Sequence, residues 1–115
     1  MSETENLVKV IVDSIEDKKG EDIVSLKLKK INQTICDYFI ICQAESGVQM
    51  QAIADHIRRS VKKELKENVW HIEGYENAQW ILLDFINVVV HIFDPDQRQY
   101  YNLEDLWADA SRKNY

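Results

Sequence analysis

Asp84 and His91, in the segment WILLDFINVVVHIF, are the pair whose types and spacing most invite a catalytic reading. They fall on neighbouring strands and on one face if Ile86-Asn87 forms a two-residue turn. General acid/base work needs direct hydrogen-bond reach and a nucleophile or substrate pocket alongside. With that turn Leu82, not Asp84, stands opposite His91, and no serine or cysteine lies nearby in the segment. Asp84 is therefore expected to order the turn or to bond a partner's backbone.

Other chemistry is weaker still. His56, His71 and His91 with Cys36 and Cys42 contain no CxxC or HxxxH spacing that would set two metal ligands side by side. His56 and His71 are better read as surface or satisfied polar groups. Asp94-Pro95-Asp96 is formally the D-x-D of nucleotidyl transfer, but the proline favours a turn. The three glycines, at 20, 47 and 74, form no loop that could cradle phosphates, and Ser46-Gly47 reads as a helix cap. No catalytic residue, metal or cofactor is expected.

The elements that carry Asp84 and His91 say more than the pair itself. In the two-residue register Phe85 faces Val88, Asp84 faces Val89, Leu82 faces His91 and Trp80 faces Phe93. One side then holds Ile81, Leu83, Phe85, Val88, Val90 and Ile92, with no polar member, and is the core side. The other holds Trp80, Leu82, Asp84, Val89, His91 and Phe93, too apolar for the wet face of an antiparallel pair. A helix or another protein must cover it.

Around the hairpin the chain switches period several times. Ser2 and Glu5 start a first helix with Leu7, Val8, Ile11, Val12 and Ile15 at helical spacing, stopped at Lys18-Lys19-Gly20. Asp22 to Lys29 alternates as a half-exposed strand near an edge, and Asn32 to Asp37 is a polar connection. Tyr38 to Cys42 is apolar on both faces, as a central strand. Ser46 with Gln49 reads as a capping box opening a long helix through Met50, Ile53, Ala54, Ile57, Val61 and Leu65. Val69 to Glu73 is a strand, and Gly74 to Ala78 turns into the hairpin. Pro95 ends the last strand, and Asn102 with Asp105 caps a short final helix holding Leu103, Leu106, Trp107 and Ala110. The sum is α/β: a mixed five-stranded sheet with helices packed on it. The strands flanking the long helix would run parallel and the last three strands antiparallel.

At 115 residues, 45% hydrophobic and 30% charged, residues 1–115 suffice for one domain with an adequate core. The net charge of −6 gives no general attraction to nucleic acid, so an RNA partner would need a local basic patch. Arg58, Arg59, Lys62, Lys63 and Lys66 form such a strip on the long helix, diluted by Glu64 and Glu67. The two cysteines lack a paired framework and fit a reducing compartment. An acidic start without a signal-peptide pattern, and no apolar run of membrane-spanning length, point to a cytoplasmic protein.

Several linked motifs resemble the ribosomal silencing factor family, also called the Iojap or RsfS family: KGEDIVSLKL, DYFIIC, QAIADHI, EGYENAQWILLDFINVVVHIF and RQYYNLEDLWADA. The resemblance covers about Leu7 to Ala110. It implies a nucleotidyltransferase-like topology without catalytic residues. It also implies docking on the large ribosomal subunit through the fourteenth ribosomal protein of that subunit. Such docking blocks small-subunit joining and represses translation when nutrients are short. The family's tryptophan in W-x-L-x-D falls on Trp80, neighbouring positions on Leu82, Asp84, His91 and Phe93, and R-x-Y-Y on Arg98, Tyr100 and Tyr101. This sequence departs in two loops, with Gln43 to Ser46 replacing a glycine- and threonine-bearing turn and Ile86-Asn87 replacing a frequent Gly-Asp.

Residues and resemblance converge on one mechanism: a central tryptophan with an isolated acid on an apolar face is the make-up of a protein-protein hot spot. Trp80, Leu82, Asp84, His91, Phe93, Arg98 and Tyr101 are the expected partner-binding residues. Tyr100 and Trp107 read as core, and Tyr101 serves either role. Ribosomal RNA contact through Arg58, Arg59, Lys62 and Lys63 is a secondary expectation. So is a homodimer of the free protein, since an apolar face favours self-association. The competing readings are a nucleotide-binding protein or enzyme, tied to Asp94 and Asp96, and an RNA-binding large-subunit assembly factor.

Overall fold

A complete capping box starts the first helix: Ser2 Oγ accepts the Glu5 amide, and the Glu5 carboxylate accepts the Ser2 amide. The computed structural model describes residues 2–28 and 36–115. In order they form α1 (Glu3–Asp17), β1 (Glu21–Lys27), β2 (Tyr38–Gln43), α2 (Gly47–Leu65) and β3 (His71–Glu73). Then come β4 (Trp80–Asp84), β5 (Val88–Phe93), α3 (Pro95–Tyr101), α4 (Leu103–Leu106) and β6 (Ser111–Asn114). The expected connection from Asn32 lies largely outside the described residues, as does Lys29.

The strands make one mixed sheet in the order β3-β4-β5-β2-β1-β6. β2 and β5 pair in parallel, and the remaining neighbours pair antiparallel. β3 thus runs in the direction of β2, as expected of strands flanking the long helix, but with two strands, β4 and β5, between them. β2 and β5 are central, which explains their near-continuous apolar sequences.

α1 and α2 cover one face of the sheet. Their stripes, Leu7, Val8, Ile11, Val12 and Ile15 on α1 and Met50, Ile53, Ala54, Ile57 and Val61 on α2, pack with Ile81, Leu83, Phe85, Val88, Val90 and Ile92. This is the main core. A second, smaller cluster on the opposite face joins Val24, Leu26, Ile41, Val89, Phe93 and Leu103, with Phe39, Trp80, Leu82 and Trp107 packed on it. The short C-terminal helices cover only part of that face.

Three expectations are corrected. The sheet has six strands, not five, because Ser111–Asn114 adds as β6 outside β1. β1 is therefore interior and buries Ser25, whose hydroxyl lies 3.0 Å from the Tyr115 hydroxyl. An all-polar, fully exposed strand such as SRKN carries no period-two signal. An unexpected helix precedes the final one: Pro95 occupies the first turn of α3 with Asp94 as its cap, and the expected final helix, α4, is a single turn. Asn102 Nδ2 donates to Asp105 Oδ2 at 2.7 Å but caps no backbone amide. At α2, Ser46 caps the Gln49 amide, but the Gln49 side chain donates to the carbonyls of Lys18 and Lys19 and not back to Ser46. That ties α2 to the end of α1.

Candidate functional site

The hairpin has the two-residue turn. Phe85 N–H donates to the Val88 carbonyl at 2.9 Å, and the pairs are Trp80 with Phe93, Leu82 with His91, and Asp84 with Val89. Asp84 Oδ1 accepts the Ile86 amide at 2.7 Å, which orders a turn whose first residue, Ile86, sits at φ 75°. Asp84 is thus a turn residue, two residues along the strand from Leu82, which faces His91. No Asp–His dyad forms.

Trp80 enters β4 from a loop pinned at Gly74, where φ is +74° and a Cβ would run into the Trp80 carbonyl oxygen. Its half-buried ring is held from three sides. The Nε1–H donates to His91 Nδ1 at 3.1 Å, Phe93 stacks with centroids 5.0 Å away, and Tyr101 packs at 4.5 Å. Phe93 stands directly opposite Trp80 and His91 is its diagonal neighbour on the same face, which explains the first two contacts. Tyr101 arrives from the C-terminal end of α3 and stays 44% exposed. Leu82 and Asp84 continue the face along β4, both half-buried.

His91 is buried beneath this platform, and burial pulls its imidazole down to about 4, so it is neutral at physiological pH. Since Nδ1 accepts from Trp80, the ring proton sits on Nε2, which is buried without a partner among the described residues. Phe39 meets the imidazole edge-to-face at 4.7 Å. The arrangement suits orienting an aromatic anchor, not moving protons.

Arg98 is buried, not presented. Its guanidinium donates to the Asp22 carbonyl at 2.6 Å, Gln43 Oε1 at 3.2 Å and Glu104 Oε2 at 3.1 Å. These bonds clamp α3 and α4 onto β1 and β2, and so hold Tyr101 over Trp80. Trp107 packs edge-to-face on Phe39 at 5.5 Å and is half-buried against the smaller cluster, short of the full burial expected of a core residue. Tyr100 departs from expectation at 79% exposed, and Leu106 is 72% exposed.

The remaining candidates are scattered. His56 bonds Asp17 at 3.2 Å and His71 bonds Glu73 at 2.7 Å. Cys36 and Cys42 are buried free thiols, pushed up to about 11 and about 12 by burial and therefore unreactive. Among the described residues no group of three or more His, Cys, Asp or Glu could hold a metal ion, and no helix is long and apolar enough to cross a membrane. Asp94 Oδ1 is taken by the Gln97 amide at 2.8 Å as the α3 cap. Arg58, Arg59, Lys62 and Lys63 line a groove of about 680 Å³ with Asp55, Asn68 and Val69.

The family model described as ribosomal silencing factor during starvation matches residues 1–115. The chain belongs to the ribosomal silencing factor family. The ribosomal silencing factor of Halalkalibacterium halodurans is 44% identical over 92% of this chain and 89% of its own length. That of Bacillus subtilis is 43% identical over 91% and 87%. A crystal structure of a Chromobacterium violaceum protein superposes with a TM-score of 0.86 at 32% identity, covering 93% of this chain and 88% of that one.

Sequence reading missed the groups that support Trp80 from beneath. Phe39, Gln43 and Glu104 steady His91 and Arg98. The parallel register of β2 on β5, which sets Phe39 opposite Val89, Ile41 opposite His91 and Gln43 opposite Phe93, would have found the first two.

Proposed function

We propose that this protein binds the large ribosomal subunit through the fourteenth ribosomal protein of that subunit and, by its bulk, blocks joining of the small subunit, repressing translation under nutrient limitation. The observation that carries the reading is Trp80: a large aromatic ring at the open margin of an apolar face, fixed by His91, Phe93 and Tyr101 before any partner arrives. A pre-oriented aromatic loses little rotamer freedom on docking, which is how a few side chains come to dominate an interface.

In this reading Trp80, Leu82, Asp84 and Tyr101 make the contacts. His91, Phe93 and Arg98 hold them in place. The molecule measures 36 × 34 × 24 Å, so its broad face can supply the roughly 800 Å² per partner of a stable interface. Repression by occlusion needs no chemical step. When free, the protein covers the same face with a second copy, and homodimer and docked forms exclude each other.

Trp80→Ala tests the reading. The variant should stay folded by circular dichroism yet fail to pellet with large subunits, losing about 2–4 kcal/mol, a factor of about 30 to 1000 in affinity. Undiminished pelleting of folded Trp80→Ala would contradict the docking face.

A further inference from the structure

We propose that the groove under Arg58, Arg59, Lys62 and Lys63 is an RNA-backbone site, which takes ribosomal RNA phosphates while the Trp80 face holds protein. It rests on the ribosomal reading only for the identity of the RNA. The four residues sit at helical positions that give an arc on the outer side of α2, and all four side chains are exposed. The buried stripe of α2, with Ile57 and Val61, faces the other way.

Three observations favour phosphates. Among the described residues, none of the four cationic groups makes a hydrogen bond or ion pair, although Glu64 and Glu67 lie close in sequence. Asp55, the acid in the groove, accepts the Tyr75 hydroxyl at 3.0 Å. Lys66 folds back to donate to the Lys63 carbonyl at 3.2 Å, so it serves the helix end and leaves the groove to the other four.

The bland explanation is helix-dipole compensation. Lys62 and Lys63 do lie in the last turn of α2, where cations are stabilising. Arg58 and Arg59 lie a full turn earlier, beyond the reach of that effect. Nor does overall basicity explain the cluster, since the chain carries −6. Unpaired cations concentrated in one groove of an acidic protein are the electrostatic footprint of a phosphate backbone.

A protein partner fits less well. The groove offers no exposed aromatic or aliphatic anchor; Val69, its one apolar lining residue, is itself packed against the main core. α2 covers the sheet face opposite Trp80, so the two surfaces can be occupied together. Four phosphate contacts give a salt slope of about −3 in log–log form, so affinity for RNA should fall about 30-fold between 50 and 150 mM salt.

The test uses the full chain and an RNA stem-loop labelled for fluorescence anisotropy, titrated at several salt concentrations. Arg58→Gln, Arg59→Gln, Lys62→Gln and Lys63→Gln together should flatten the slope towards zero and weaken binding at least 10-fold at low salt. The pair Lys62→Gln with Lys63→Gln should halve the slope, and serves alone if the quadruple variant does not fold. Both variants should bind the isolated fourteenth ribosomal protein as the parent does, and Trp80→Ala should bind the stem-loop as the parent does. No measurable stem-loop binding by the parent, a slope shallower than about −1, or unchanged binding by the glutamine variants would overturn the proposal. Equal loss of stem-loop binding in Trp80→Ala would also overturn it, by placing RNA on the other face. Failure of the protein-docking reading shows instead as Trp80→Ala retaining subunits, whatever the stem-loop does.

Discussion

The Trp80–His91 bond is asymmetric, and the asymmetry is measurable. Trp80→Phe keeps an aromatic ring between Phe93 and Tyr101 but deletes the Nε1–H that His91 Nδ1 accepts. His91 is only 5% exposed, so the acceptor is stranded in the core, at a cost of about 1–3 kcal/mol. For a chain of this size that is a fall in melting temperature of about 4–12 °C. His91→Leu is the opposite case. It removes the acceptor together with the unpartnered Nε2–H and fills the same space with apolar atoms. The freed indole N–H belongs to a half-buried ring that water can reach, so the net change should stay within about 1 kcal/mol of zero. In the His91→Leu background, Trp80→Phe should then cost less than about 1 kcal/mol. Urea unfolding followed by far-ultraviolet circular dichroism gives all four corners of the cycle. A loss above about 3 kcal/mol for His91→Leu, or the same cost of Trp80→Phe in both backgrounds, would refute the reasoning.

The same histidine sets a pH dependence: its imidazole falls from 6.5 unfolded to about 4 folded. The folded state resists the proton, so full stability is present above pH 6.5 and up to about 3 kcal/mol is lost as pH falls from there towards 4. Unfolding free energies across that window should decline less steeply for His91→Leu than for the parent. Arg98→Met strands the Glu104 carboxylate, whose side chain is 14% exposed, and should cost about 3–5 kcal/mol in thermal unfolding. Adding Glu104→Gln should restore part of that loss. Ile86→Gly relieves a branched residue that sits at φ 75° and is 59% exposed, and should raise stability by about 1 kcal/mol in the same assay.

Much of the hairpin was legible because a two-residue turn fixes parity: once Ile86-Asn87 closes it, every facing pair from Trp80 to Phe93 follows, and all appear in the structure. The helix stripes of α1 and α2 were legible for the same reason, a period imposed by one buried side. β6 was not, since Arg112, Lys113 and Asn114 bury nothing and earn their place by backbone pairing alone. α3 was hidden behind Pro95, which ends a strand and begins a helix with equal ease. The candidate site was legible as a list and not as a division of labour. Arg98 looks like a docking group in sequence, and only its bonds to Asp22, Gln43 and Glu104, far apart along the chain, reveal an internal clamp. Asp84 is the opposite case: its turn-ordering role is expected from sequence, and the Ile86 amide it accepts bears that out.

The most direct test of the central claim is subunit joining on sucrose gradients, with purified large and small subunits and the protein added before mixing. The account predicts that the protein shifts the joined peak into separate subunits, that it co-migrates with the large one, and that Trp80→Ala does neither. Joined ribosomes undiminished by saturating protein would contradict it.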